Sequence, residues 1–328
     1  MIRKLILLCA ALTLVMPTIN VEAAQKKTKR VTASSKHKVS SRKIIRTIRA
    51  DRKYQMQNVN YNRSSVFKDS YNGTGILTLA SSKALIVNQE TGEVLYSKST
   101  DLPTPIASVT KLMTAMVMLD AHLPMDEYLS ITEADIDMLK GTGSRLRLGT
   151  QLTRAELLQL ALMASENRAA SALGRNYPGG LIAFVAAMNF KAAELGMTHT
   201  RFVDPTGLNS ANVATAQDLV KMVRAAYQYP EIRQVSTTAS HEVPVYGYRN
   251  PVNFVNTNVL VRNSDWIIGL SKTGYINEAG RCLVMQAEIA GQPLIIVLLD
   301  SWGKYSRIGD AQRIRKWIES SNLLRNLG

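Results

Sequence analysis

Three short groups of residues in this chain have types and spacings that can do chemistry: Ser108-Val109-Thr110-Lys111, Ser165-Glu166-Asn167 and Lys272-Thr273-Gly274. A serine hydroxyl is a weak nucleophile until a neighbouring base takes its proton. Positions i and i+3 share one face of a helix, so the Lys111 amine can reach the Ser108 oxygen. A helix starting there also aims a backbone N–H and a positive dipole at any oxyanion that develops beside the hydroxyl. A lysine at its ordinary pKa of ~10.4 is a poor base at pH 7, so Lys111 needs a fall of about three units. Partial burial and the charge of Lys272 both push that way. Gly274, with no side chain, would let a substrate backbone approach closely.

Context separates these groups from chance matches. Ser-x-x-Lys occurs five times, at Ser35, Ser40, Ser65, Ser108 and Ser301, and Ser-x-Asn four times, at Ser70, Ser165, Ser210 and Ser320. Lys-Thr-Gly occurs once. Only Ser108 stands where a proline-bearing loop (Pro103, Pro105) turns into an apolar helix. The Ser165 group follows the end of a capped helix and is expected to project from a loop. The Lys272 group is expected just ahead of an apolar strand.

The ordered triplet resembles that of the low-molecular-mass penicillin-binding proteins, the serine D-Ala-D-Ala carboxypeptidase family. The resemblance runs from about Ile76 to Ser320 and includes Pro105-Ile106-Ala107-Ser108-Val109-Thr110-Lys111-Leu112-Met113-Thr114 and Phe202-Val203-Asp204-Pro205-Thr206-Gly207-Leu208. It implies Ser108 as the acylated nucleophile, Lys111 as its base and Ser165 as proton relay to the leaving amine. It implies that Asn167 holds the substrate amide and that Lys272 and Thr273 bind a substrate carboxylate. Backbone N–H groups of Ser108 and Tyr275, beside Gly274, would form the oxyanion hole. The implied substrates are peptidoglycan peptides, the implied inhibitors β-lactams, and no cofactor or metal is required.

Overall likeness favours a DD-endopeptidase cutting D-alanyl cross-links. The motifs themselves do not separate it from a carboxypeptidase, because both leaving groups carry a carboxylate beside the scissile amide. Glu166, where many relatives carry a small residue, is expected to be a solvated loop acid without a catalytic role. No Glu-x-x-Leu-Asn segment of the deacylating β-lactamase type is evident, which argues against fast antibiotic hydrolysis. About fifty residues follow Gly274, enough to finish a sheet and add a helix but not a second domain.

The elements that must position these groups follow from periodicity. Ala84–Val87 and Glu93–Tyr96 flank Thr91-Gly92 as a hairpin. Helices are expected over Val109–Leu119, from the Thr153-Arg154-Ala155-Glu156 capping box to Met163, over Gly180–Leu195 closed by Gly196, and over Thr215–Tyr227. Strands at Leu283–Ile289 and Leu294–Leu299 and a helix at Ile308–Ser320 end the chain. Strands at both ends with helices between them imply an α+β fold of the β-lactamase/transpeptidase type. Its mixed, mainly antiparallel sheet would be flanked by helices, with an all-helical subdomain.

The chain has 328 residues, 46% of them hydrophobic, and a formal net charge of +15. Residues 26–53 hold twelve Lys or Arg against one acid, Asp51, so the basicity belongs to an arm. Arg3 and Lys4 before the apolar run Leu5–Met16, and Val21-Glu22-Ala23 beyond it, read as a signal peptide over 1–23 with cleavage after Ala23. Residues 24–70 then form a polar, basic, disordered arm suited to anionic lipid or wall polymer, and 71–328 the peptidase domain. A periplasmic protein without a nucleic-acid partner follows. Cys9 leaves with the signal, and Cys282 reads as a small core residue. A non-enzymatic wall-binding protein is disfavoured by the intact triplet. A Ser-His-Asp hydrolase is disfavoured by the absence of a Gly-x-Ser-x-Gly elbow and by the scattered His37, His122, His199 and His241.

Overall fold

The computed structural model describes residues 76–325, so the expectations for 1–23 and 24–70 lie outside the described residues. In chain order, β1 (Ser81–Asn88) and β2 (Val94–Lys98) form the first hairpin. β3 (Thr104–Pro105) leads into a 3-10 turn, Ala107–Thr110, and α1 (Lys111–Asp120). β4 (Tyr128–Ser130), β5 (Gln151–Thr153), α2 (Arg154–Met163), α3 (Asn167–Arg175) and α4 (Gly180–Glu194) follow. Then come β6 (Val213–Ala214), α5 (Ala216–Ala226), α6 (Pro230–Thr237) and the hairpin of β7 (Ser240–Val243) and β8 (Val252–Val255). β9 (Ile267–Ile276), β10 (Gly280–Ile289), β11 (Gln292–Ser301) and α7 (Ser306–Arg325) complete the order.

The main sheet runs β2-β1-β11-β10-β9, with every pairing antiparallel. Its first hairpin and its last three strands come from opposite ends of the domain, joined by Leu85↔Val297 and its neighbours. Successive side chains point to opposite faces. On β11, Ile295, Val297 and Leu299 pack into the core shared with the helices, while Leu294, Ile296 and Leu298 meet Ala311, Ile314 and Ile318 of α7. Both faces are covered, so these strands read as continuous apolar runs rather than as an alternation.

The helix starts and stops follow local chemistry. Thr153 and Glu156 make the reciprocal capping box expected at α2, and the Thr215 side chain caps α5 by accepting from Asp218 N. Gly196, at φ +67°, takes the left-handed conformation past the end of α4. The sequence did not signal α3, α6 or the β7–β8 hairpin. Two placements differ from expectation. Lys272-Thr273-Gly274 lies inside β9 rather than ahead of it, and Asn167 opens α3 rather than sitting in a loop. The polar Ser271-Lys272-Thr273 triplet masks a strand pattern, and three alanines beside a single large apolar residue, Leu173, hide α3. Among the described residues no helix is long and apolar enough to cross a membrane.

Candidate active site

Ser108 sits in the tight 3-10 turn that precedes α1, which sets its hydroxyl one turn from Lys111. The turn is held from both sides. Thr110 Oγ1 donates to Ala107 O at 2.8 Å, and Ile106 N donates to Asn212 O at 3.1 Å. Ala107 has φ +49°, a left-handed conformation that an alanine adopts only under constraint from its surroundings.

Two glycines close over this turn. A Cβ on Gly207, at φ +81°, would lie 2.0 Å from Ala107 O. One on Gly274 would lie 3.0 Å from Ala107 Cβ, Ile106 O and Ser108 N. Gly274 is therefore required by the approach of the Ser108 turn to β9, a close contact within the chain itself.

Lys111 is fully buried and its Nζ lies 2.8 Å from Ser108 Oγ, 2.7 Å from Asn167 Oδ1 and 2.6 Å from Thr206 O. Burial lowers its pKa to about 7, against smaller opposing pulls from Asp204 and Glu166. From an ordinary 10.5, that is on the order of 5 kcal/mol against the charged form. A neutral amine has two N–H donors and one lone pair. Donation to Asn167 and Thr206 leaves the lone pair facing the Ser108 hydroxyl.

Thr206 was not singled out from the sequence. Its carbonyl is fixed by Asp204, which accepts from Thr206 N and Oγ1, Gly207 N, Asn209 N and Asn212 Nδ2. Thr114 Oγ1 ties the same loop to α1 through Pro205 O at 2.7 Å. Asp-Pro-Thr-Gly, with an aspartate that nests following N–H groups, is the signal that could have found it.

Across from Lys111, Lys272 Nζ donates to Ser165 Oγ at 2.7 Å and to Thr273 O at 2.9 Å. Ser165 has φ +60°, placing its side chain in the break between α2 and α3. The Lys272 amine is fully buried and pushed well below 10.5 by burial first, then by repulsion from Lys111 and Arg307. Thr273 Oγ1 donates to Thr257 Oγ1 at 2.7 Å, and Thr257 N in turn donates to Met163 O at 3.0 Å. Arg307 Nη1 donates to Gly274 O at 3.1 Å, adding a second positive charge behind the strand. β9 is the outermost strand of the sheet, so its free side presents backbone from Lys272 to Tyr275. Tyr275 is half exposed, and its hydroxyl donates to Asn277 Oδ1.

The structure thus brings Ser108, Lys111, Ser165, Asn167, Lys272, Thr273 and Gly274 together at one place, with Tyr275 next along β9. Glu166 departs from expectation. Its carboxylate is sheltered, accepts from Ser144 Oγ at 2.8 Å, and has its pKa raised chiefly by burial. A second tie in this segment runs from Asn167 Nδ2 to Thr142 Oγ1 at 3.1 Å. Together they hold the stretch from Thr142 to Ser144 against the site. Cys282 is buried, with its thiol pushed up to about 11 by burial. Among the described residues no cluster of three or more His, Cys, Asp or Glu is arranged to hold a metal.

Comparison with known proteins agrees with this arrangement. Residues 70–303 match the model of a peptidase family described as D-alanyl-D-alanine carboxypeptidase. A D-alanyl-D-alanine endopeptidase of Pseudomonas aeruginosa is 51% identical over 75% of this chain and 79% of its own length. The Escherichia coli protein of the same name is 49% identical over 75% and 79%. Among solved structures, the Streptomyces K15 DD-transpeptidase has TM-score 0.67 at 30% identity, covering 73% of this chain and 97% of its own. The shared fold, the matched family and the convergence of three motifs on one serine agree, and the chain belongs to the D-alanyl-D-alanine carboxypeptidase family of peptidases.

Proposed function

We propose that this protein is a serine DD-endopeptidase that hydrolyses D-alanyl cross-links of peptidoglycan through an acyl-enzyme on Ser108. The observation that carries the reading is the buried Lys111 amine 2.8 Å from the Ser108 hydroxyl, with a pKa of about 7. Lys111 takes the Ser108 proton as Oγ attacks the D-Ala carbonyl carbon. The Ser108 and Tyr275 N–H groups stabilise the oxyanion. As the tetrahedral intermediate collapses, Ser165, held by Lys272, passes its proton to the departing amine and receives in return the proton that Lys111 took from Ser108. Asn167 holds the substrate amide, and Lys272 and Thr273 bind the carboxylate beside the scissile bond. Water then releases the acyl group from Ser108. A β-lactam follows the same first step and stays attached.

The endopeptidase assignment is supported by relatives that carry that name at 49–51% identity. Carboxypeptidase activity is the second reading, supported by the family description and by the Streptomyces relative named D-alanyl-D-alanine carboxypeptidase, 31% identical. We further assign residues 1–23 to a signal peptide, 24–70 to a basic arm that contacts anionic lipid or wall polymer, and 71–328 to the peptidase domain. This implies a periplasmic location.

The test is intact mass after penicillin exposure, with the modified peptide mapped, alongside digestion of purified cross-linked muropeptide dimers. One penicilloyl group on Ser108, absent in Ser108→Ala, together with conversion of dimers to monomers, is the expected result. Dimers that survive while pentapeptide loses its last D-Ala would leave only the carboxypeptidase reading.

A further inference from the structure

Beyond the catalytic residues, the segment that Glu166 and Asn167 hold continues into a surface of unusual composition. Ser144 is bonded to Glu166, and the next residues carry Arg145 and Arg147 onto the β7–β8 hairpin. The Arg145 guanidinium lies 4.1 Å from the centroid of the Phe254 ring, and its Nη1 donates to Asn253 O at 2.6 Å. The Arg147 guanidinium lies 4.0 Å from the centroid of the Tyr248 ring, and its Nη1 donates to Gly247 O at 3.1 Å. Both arginines are exposed, as are Tyr246 (69%) and Tyr248 (44%) in the hairpin's loop.

The described residues contain no salt bridge to Arg145, Arg147 or Arg249. Glu166 feels the Arg145 charge but is committed to Ser144 and to the Arg145 backbone N–H, and Glu242, opposite Asn253 in the hairpin, makes no salt bridge among the described residues. Each guanidinium is held in place by a ring and one carbonyl, and its remaining donors have no partner among the described residues. Pre-positioned arginines beside exposed tyrosines fit a ligand that carries carboxylates on a peptide backbone.

The position of this surface identifies which part of a substrate would meet it. β8 leads from the loop that carries Tyr246 and Tyr248, past Asn253 and Phe254 where Arg145 rests, to Thr257, whose hydroxyl is bonded to Thr273 at the Ser165–Lys272–Thr273 end of the site, so Arg145 lies toward that end and the tyrosines farther out. In the proposed reaction that end receives the leaving amine and its carboxylate. Free D-Ala would go no further. A cross-linked leaving group is a second stem peptide, with more chain and more carboxylates beyond the scissile bond.

We propose that Arg145, Arg147, Tyr246 and Tyr248 form a subsite for the leaving stem peptide of a cross-link, recognised through its carboxylates. This rests on the endopeptidase reading and specifies where that activity is selected over carboxypeptidase activity.

The test compares the full chain with Arg145→Ala/Arg147→Ala and with Arg147→Gln on three reagents: a fluorescent penicillin, a pentapeptide monomer and a cross-linked muropeptide dimer. Expected is a fall of roughly tenfold in kcat/KM on the dimer, carried by KM, with penicillin acylation and pentapeptide turnover unchanged. Amidating the leaving stem's carboxylates other than the one beside the scissile amide, which Lys272 and Thr273 bind, should lower the parent's kcat/KM similarly and leave the double variant indifferent. Variants that cut the dimer as well as the parent overturn the proposal. So does a parallel loss on all three reagents, which would mean that the segment only positions Asn167. A parent that acylates with penicillin and trims pentapeptide but never cuts the dimer overturns the endopeptidase reading itself.

Discussion

At the scale of single residues, the site is governed by two amines taken out of water. Lys111 and Lys272 are both fully buried with lowered pKa, and the first has its donors matched to fixed oxygens. The proton on Lys111 must be absent for it to act as base. Acylation by penicillin should therefore fall about tenfold per pH unit below about pH 7 and level off above it. A pH–rate profile by stopped-flow labelling checks this, and a rate constant flat down to pH 5 would remove Lys111 as the base. Lys111→Ala should cost roughly 10²- to 10⁴-fold in the acylation rate constant, the usual contribution of a positioned base. The triplet itself was legible, because each motif carries a residue type that its chemistry requires. The Thr206 carbonyl was not, since a backbone oxygen leaves no signature of its own and its placement depends on the Asp204 side chain. Glu166 was misjudged because its shelter comes from Ser144, twenty-two residues away in sequence.

At the scale of elements, the sheet is closed by a contact that joins the two ends of the domain. Asp310 on α7 accepts from Ala80 N at 2.9 Å and from Ser81 N at 2.7 Å, and it also takes the Ser81 hydroxyl. Asp310 and Ser81 are fully buried. Replacing Asp310 by Ala strands those donors, each unsatisfied group costing about 1–3 kcal/mol. Asp310→Ala should therefore be destabilised by about 3 kcal/mol in urea unfolding, while Arg313→Ala, which removes the partly exposed partner of Asp310, should cost less than 1 kcal/mol. Equal costs would mean that the ion pair, rather than the N–H cradle, holds the junction. Elements with strong period or caps, such as α2, α5, β10 and β11, were readable in the sequence. α3 and β9 were not, because the residues that serve the site interrupt the apolar pattern that marks an element.

At the scale of the whole molecule, the positive charge is concentrated in one stretch of sequence, twelve basic residues between 26 and 53, which lies outside the described residues. If the arm serves only attachment, deleting residues 24–70 should leave penicillin acylation unchanged and weaken binding to purified sacculi or anionic vesicles, most strongly at low salt. Sedimentation with sacculi at two ionic strengths, beside a labelling assay, measures both. Acylation that falls with the deletion would show the arm to be part of the catalytic domain.

The pairing of β1 with β11 also sets the order in which the protein can be completed. β1 is made early, yet Ser81 finds its partner only at Ser301, and Asp310 secures the junction later still. Contacts of such long separation form late and slowly. A nascent chain emerging from the ribosome or threading through a translocase therefore holds its first hairpin without a neighbouring strand until almost the last segment arrives. The turn that carries Ser108 abuts β9, so it too is completed only once those late strands have arrived.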